Sequence, residues 1–234
     1  MDEWSRDVKV LKTAAYHPGA EAQVIFMGRP EQQKAYLWIK RILDIVGAFI
    51  GLLLLCPLML IVAILLKLES PMGSIFFSQT RVGKDGAEFT MFKFRSMVPD
   101  AERHLKDLLE KNEIQGAMFK IKDDPRITKV GRWIRRTSID ELPQLWNVLR
   151  GDMSLVGPRP ALPREVAQYT GYHRQRLAVT PGCTGLWQVS GRNGLTFDEM
   201  VFLDLYYIRN RSIWFDTKLV LRTVWIIFFP NNAY

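Results

Sequence analysis

The chain has 234 residues, 48% of them hydrophobic, with 32 Lys and Arg against 24 Asp and Glu and a formal net charge of +8. That composition excludes general disorder and allows one domain with extras and a sizeable core. The positive balance points to an anionic partner: nucleic acid, lipid headgroups or a phosphorylated substrate, among which charge alone does not choose.

Residues 1–35 lack clear periodicity and contain His17-Pro18-Gly19 and Gly28-Arg29-Pro30, so a loosely structured or strand-containing extension is expected there. The opening Met1-Asp2-Glu3-Trp4 is acidic and polar, without the pattern of a secretory signal. Residues 45–66 (IVGAFIGLLLLCPLMLIVAILL) carry no charge. As a straight helix they would be ~33 Å long, enough to cross a hydrocarbon core of ~30 Å. Two features argue against a plain span. Pro57 sits near the middle, where it removes a backbone hydrogen bond and kinks a helix. Cations also flank both ends, Lys34, Lys40 and Arg41 before the run and Lys67, Arg81 and Lys84 after it, whereas a span concentrates them on one side. The expectation is a re-entrant helix that bends at Cys56-Pro57 and returns to the same face. A spanning helix and a buried core helix are the alternatives. Asp44, Lys40 and Arg41 would then lie at headgroup level, with Trp38 as an interfacial anchor. Cys56 lies within the apolar run, so a disulfide with Cys183 is not expected and a reducing, cytosolic face is.

After the membrane segment, Ile75-Phe76-Phe77 and residues 89–94 flank Gly83-Lys84-Asp85-Gly86, the pattern of a hairpin with a polar turn. Residues 101–113 (AERHLKDLLEKNE) predict a charged amphipathic helix, its charges facing solvent. Residues 126–136 (RITKVGRWIRR) place four arginines and a lysine in eleven positions. A further helix is expected from near Asp140 to Leu149, ended by Arg150-Gly151. Thr196-x-x-Glu199 opens another as a capping box, continuing to about Arg209. Residues 214–229, with Trp214, Trp225, Phe228 and Phe229 interleaved with Asp216, Lys218 and Arg222, fit an in-plane interfacial helix or a core-facing one equally well. The fold class is thus α+β and predominantly helical. Its parts are an extension over 1–35, a membrane anchor over 36–70 and a catalytic domain over 71–234.

The densest signal for chemistry is residues 135–143 (RRTSIDELP). Ser138-x-x-Glu141 is itself a capping box. With Asp140 as the cap instead, Pro143 falls at the third helical position, where an N–H has no intrahelical partner anyway. That places Asp140 at a helix start, where the dipole and the nearby Arg135 and Arg136 favour its ionised form. A carboxylate nucleophile must be ionised, yet these residues alone leave a structural cap and a nucleophile level. Gly157-Pro158-Arg159-Pro160 and Gly191-Arg192-Asn193 each hold an arginine on a stiffened loop, suited to gripping phosphate. Lys93 and Arg95 add two cations near the end of the membrane segment. The two cysteines and His17, His104 and His173 have no zinc spacing, and there is no P-loop or Rossmann glycine pattern. Phosphates would be held by arginines and, where a metal is needed, by carboxylate-bound Mg²⁺. Without a recognition motif, nucleic acid is a poor partner for a chain with so long an apolar run.

From Lys40 to the C-terminus the sequence resembles the bacterial sugar transferases, or monotopic phosphoglycosyl transferases. The resemblance runs through Lys40-Arg41-Ile42-Leu43-Asp44, Gln79-Thr80-Arg81-Val82-Gly83, Phe92-Lys93-Phe94-Arg95-Ser96-Met97 and residues 135–151. It continues through residues 152–160 (DMSLVGPRP) and 181–193 (PGCTGLWQVSGRN). It implies a re-entrant helix broken at a Ser-Pro pair, here Cys56-Pro57, so the proline is kept and the serine hydroxyl is not. It also implies transfer of a sugar-1-phosphate from a UDP-sugar to undecaprenyl phosphate. Asp140 would attack the sugar-linked phosphorus and release UMP, and the lipid would then take the phosphosugar. Glu141 would assist with Mg²⁺ or protons, making Asp140 and Glu141 the metal-binding candidates. Lys93, Arg95, Arg135, Arg136, Arg159 and Arg192 are the candidates for phosphate or lipid-carrier contacts. The implied place is the inner membrane with the catalytic domain on its cytoplasmic face, in contact with membrane lipids. The sugar is not identified, hexoses being favoured by resemblance, and a homodimer is left open. A non-catalytic membrane-bound scaffold is the alternative.

Overall fold

A computed structural model describes residues 30–101, 124–190 and 195–228. Residues 1–29 of the extension expected over 1–35, all but the first residue of the charged helix expected over 101–113, and the Gly191-Arg192-Asn193 loop lie outside them, while residues 30–35 are helical. The described chain is predominantly helical with two small sheets, in keeping with the α+β expectation.

The apolar run lies within a single 40-residue helix, α1 (Pro30–Glu69), which continues through Cys56 and Pro57. It is long and apolar enough to cross a membrane, and few residues of its most apolar stretch are fully buried. Leu54, for example, is 71% exposed. One face of α1 packs on the rest of the protein, at positions spread along it. In mid-helix Ala48 packs with Met91, Val148 and Met153, and Gly51 lies against Leu145. Near the C-terminal end Val62 and Leu66 pack with Phe94 and Ile134.

Polar contacts reinforce both ends. The Arg41 guanidinium donates to the carbonyls of Val148 (2.6 Å) and Leu149 (2.8 Å). The Leu155 amide donates to the Asp44 carboxylate at 2.9 Å. At the other end Arg95 donates to the Leu66 carbonyl (3.1 Å) and the Val130 amide to the Glu69 carboxylate (3.0 Å). Helix α1 is therefore held along one face, with polar contacts at both ends, and is exposed on the other.

Strands β1 (Phe76–Val82) and β2 (Glu88–Phe94) form the expected antiparallel hairpin, with Phe76 opposite Phe94 and Val82 opposite Glu88. Its turn needs left-handed backbone at Asp85 (φ 55°) and Gly86 (φ 83°), which Asp and Gly adopt at least cost. Helix α2 (Lys129–Arg136) starts where Thr128 accepts a hydrogen bond from the Gly131 amide. Helix α3 (Gln144–Arg150) ends at Gly151, whose φ of 94° makes it a left-handed cap, as the sequence predicts.

Asn147 on α3 is fully buried and ties that helix to β2. Its amide oxygen accepts from the Phe92 amide (3.0 Å), and its NH₂ donates to the Thr90 carbonyl (2.7 Å) and to Asp152 (3.0 Å). Asn147→Leu leaves these groups unpartnered in the interior, at about 3 kcal/mol. The expected reading is a fall in Tm of roughly 6–12 °C in a thermal melt.

The larger core lies C-terminal to these elements. Strands β3 (Ser154–Val156) and β4 (Gly182–Thr184) pair in parallel. Short helices α4 (Pro163–Val166) and α5 (Gly171–Arg174) lie between them in the chain, and α6 (Leu186–Val189) follows β4. Helix α7 (Phe197–Asn210) opens on the predicted Thr196–Glu199 capping box and buries Phe197, Met200, Val201, Leu203, Leu205, Tyr207 and Ile208. Helix α8 (Ile213–Phe228) faces the core on one side and is exposed on the other. Leu219 is fully buried, while Trp214, Leu221 and Trp225 point outward along one stripe, with the Lys218 ammonium 5.3 Å from the Trp214 ring centre.

Candidate active site

Asp140 does not cap an α-helix. It lies within a 3₁₀ turn, Ile139–Glu141, and Pro143 takes the capping position of α3. The reason is Ser138, which adopts left-handed backbone (φ 56°, ψ 16°) and reverses the chain just after α2. Such a conformation is unfavourable for a residue with a β-carbon and persists where the surroundings impose it. The turn closes through bonds from the Glu141 amide to the Ser138 carbonyl and from the Leu142 amide to the Ile139 carbonyl, both 3.2 Å.

The turn points Asp140 inward and Glu141 outward. Asp140 is 8% exposed. Glu141 reaches Lys93, whose ammonium donates to its carboxylate at 2.6 Å, and both side chains remain open to solvent. Strand β2 supplies Lys93, and the Asn147 bonds hold that strand against α3. The carboxylate pair and the lysine thus sit where two anchored elements meet.

The expected depression of the Asp140 pKa is overturned. Burial is the largest influence and pushes its carboxyl up to about 6. Lys93 and Arg135 pull it down and Glu141 pushes it up. The helix dipole invoked for a capping Asp140 belongs to a position it does not occupy. At neutral pH the group is still mainly ionised, but it is poorly solvated, which leaves a carboxylate reactive.

The other cations are distributed unevenly. Arg135 acts on Asp140 electrostatically, while Arg136, at the end of α2, is exposed. Arg95 is buried at the C-terminal end of α1, where its guanidinium meets the Leu66 carbonyl and fills the space over Gly73. Arg159 lies 3.4 Å from the buried Glu165, which also accepts from the Leu162 amide. Arg192 falls outside the described residues.

One cation absent from the sequence-based candidates joins this group. Arg81 is buried at the end of β1 and donates to the Pro160 carbonyl (2.9 Å) and to Gln79 (2.7 Å). Burial and the neighbouring Arg159 push its guanidinium down to about 9, opposed by Glu165 and Glu141. Arg81 therefore links the Pro158-Arg159-Pro160 loop to the field of the Asp140 turn. The Gln79-Thr80-Arg81-Val82-Gly83 motif was the signal in the sequence that could have found it.

Among the described residues no three His, Cys, Asp or Glu side chains converge as a metal cage. Two adjacent carboxylates, one already paired with Lys93, suit a hard cation such as Mg²⁺ only if substrate phosphates complete its shell.

The described residues thus bring together a long, largely exposed apolar helix and a buried carboxylate beside Lys93. The chain belongs to the bacterial sugar transferase family, whose sequence model matches residues 35–230. It is 52% identical to galactosyl transferase CpsE of Streptococcus agalactiae over 202 residues, 85% of this chain and 44% of that protein. It is 43% identical to undecaprenyl-phosphate galactose phosphotransferase of Salmonella typhimurium, over 84% of this chain and 42% of that one. With exopolysaccharide production protein ExoY of Sinorhizobium fredii the identity is 39%, over 83% of this chain and 88% of ExoY. The chain thus spans under half the length of the first two relatives and most of the third.

Proposed function

We propose that this chain transfers a sugar-1-phosphate from a UDP-sugar to a polyprenyl phosphate, an early membrane step in building an exopolysaccharide or capsule. The observation that carries the reading is Asp140, a buried carboxylate still ionisable near neutrality, beside the Lys93–Glu141 pair on a body that grips an exposed apolar helix. Family membership and relatives named as galactose, glucose and N-acetylgalactosamine phosphotransferases support the substrate class.

In the first step an Asp140 oxygen attacks the sugar-linked phosphorus of the donor. A P–O bond of the diphosphate breaks, UMP leaves with the bridging oxygen, and a phosphosugar-aspartate remains. In the second step a phosphate oxygen of the carrier attacks that phosphorus. The acyl phosphate bond breaks, Asp140 is regenerated, and the carrier leaves as a diphosphate-linked sugar. Lys93 keeps Glu141 beside the nucleophile, and Arg81 and Arg159 offer positive charge to the phosphates. Asp140 and Glu141 would hold Mg²⁺ together with the donor's phosphates, and when bound it neutralises phosphate charge.

The layout suits one water-soluble and one lipid substrate. Attachment of both ends of α1 to one body, a proline in mid-helix and cations on both flanks favour a re-entrant anchor on the cytoplasmic face. Five of the six described tryptophans are exposed, namely Trp38, Trp133, Trp146, Trp214 and Trp225, as an interfacial protein's would be. The test is UMP release by the purified chain in lipid nanodiscs, with Mg²⁺, undecaprenyl phosphate and a panel of UDP-hexoses and UDP-N-acetylhexosamines. Release with one donor is expected. Silence with every donor would sink the proposal.

A further inference from the structure

The N-terminal end of α1 is held by a polar cluster that the reaction does not use. Asp216, on the first turn of α8, is buried, and its carboxylate gathers three donors from two other helices. Tyr36 and Lys40 of α1 donate to one oxygen, at 2.8 and 2.9 Å. Tyr207 of α7 donates to the other at 2.7 Å. The Arg211 guanidinium covers the Tyr36 ring at 5.6 Å.

Apolar packing does little here. A cavity of about 100 Å³ lies beside the cluster, bounded by Leu37, Lys40, Arg41, Asp44, Tyr207 and Arg211 among others. The apolar contacts of α1 begin a full turn or more further on, at Ala48. The N-terminal end of α1 is therefore fixed by polar bonds, those to the Asp216 carboxylate joining those of Arg41 and Asp44. Because the C-terminal end is tied through Val62, Leu66 and Arg95, loosening the N-terminal end lets the helix pivot about that attachment.

We propose that Asp216 is a positioning residue that locks α1 to the α7–α8 corner, so fixing the tilt of the anchor and the depth of the Asp140 site at the bilayer. The proposal rests on the transferase reading for its consequence in catalysis, but not for its geometry. Donor chemistry at Asp140 uses a soluble substrate and is indifferent to depth. Transfer to a carrier embedded in lipid is not.

The first measurement is independent of activity. Cys56, exposed on α1, takes one spin label and Ala167→Cys, exposed on the body, takes the other. Cys183 stays unlabelled, because burial pushes its thiol well up and the thiolate is the reactive form. In nanodiscs the protein with Asp216 intact gives a narrow distance distribution, and Asp216→Ala broadens it. Tyr36→Phe combined with Lys40→Met is expected to do the same while leaving the Asp216–Tyr207 bond in place, and it carries the test if Asp216→Ala does not fold. The second measurement separates the half-reactions. Transfer to undecaprenyl phosphate falls about tenfold or more in either variant, while the UMP burst with donor alone stays within about twofold. An unchanged distance distribution in a folded variant, or equal loss in both half-reactions, overturns the proposal. Absence of a burst from the wild type counts against the transferase reading instead and leaves the distances to decide the role of Asp216.

Discussion

Asp140→Asn is expected to abolish UMP release, a loss of at least about 10⁴-fold, because an amide cannot form the covalent intermediate. The same variant is expected to be more stable than the wild type at neutral pH. The Asp140 carboxyl has a pKa of about 6 in the folded protein against 3.8 for the free side chain, the shift coming first from burial. A group with a raised folded pKa supports the fold fully below its unfolded value, and that support is lost as pH rises through the folded value. Asparagine does not titrate. Its advantage should therefore be absent below about pH 4, grow between about pH 4 and 6, and level off above, reaching up to about 3 kcal/mol. Thermal melts in EDTA across that range measure it, and EDTA keeps a bound cation from masking the carboxyl. Full UMP release by Asp140→Asn would refute the nucleophile assignment, and a lower Tm at pH 7.5 would refute the electrostatic account.

The largest loss of stability is expected from separating Arg176 and Asp204. Both are almost fully buried and joined by a short ion pair, and Arg176 also donates to the Tyr169 hydroxyl at 2.9 Å. Burial pushes the Asp204 carboxyl up to about 6 and Arg176 opposes that rise, so at neutral pH the pair is ionic. Removing one partner leaves an uncompensated charge in the core, costing about 3–5 kcal/mol. Asp204→Ala and Arg176→Met should each lower Tm by roughly 6–20 °C. The double variant Arg176→Met with Asp204→Leu should regain much of that, since no stranded charge remains. A single variant that melts within about 2 °C of the wild type, or a double variant worse than both singles, would contradict this account.

The features legible in the sequence are those set by local chemistry. The hairpin turn announces itself because Asp85 and Gly86 tolerate positive φ. The start of α7 does so because Thr196 and Glu199 satisfy each other's amides, at 3.3 and 2.7 Å. Gly151 marks the end of α3 for the same kind of reason. Residues 135–143 and the arginine loops also stood out, through residue type and the family resemblance. The parallel pairing of β3 with β4 was not anticipated, because three-residue strands whose partners are distant in sequence leave little local pattern.

The site's physics was not legible. Spacing around Pro143 argued for Asp140 as a helix cap, but the left-handed Ser138 diverts the chain into a 3₁₀ turn and the helix begins later. Nearby arginines argued for a lowered pKa, yet burial, which no linear spacing reports, outweighs them. Arg95 and Arg81 show the same limit. Both were visible as cations, but one closes the end of the anchor helix and the other braces the Arg159 loop. Lys40 and Arg41 read as interfacial cations in the sequence, and packing gives them partners no spacing reports, Asp216 and the carbonyls ending α3.

The family and an apolar run of membrane-crossing length could be read before any folding was known, since motif order and hydrophobic length are properties of the chain alone. Which cations meet Asp140 and Glu141, how far Asp140 is withdrawn from water, and the attachment of both ends of α1 to one body follow from packing. Burial and long-range contact set these, and both arise only when distant segments pack together.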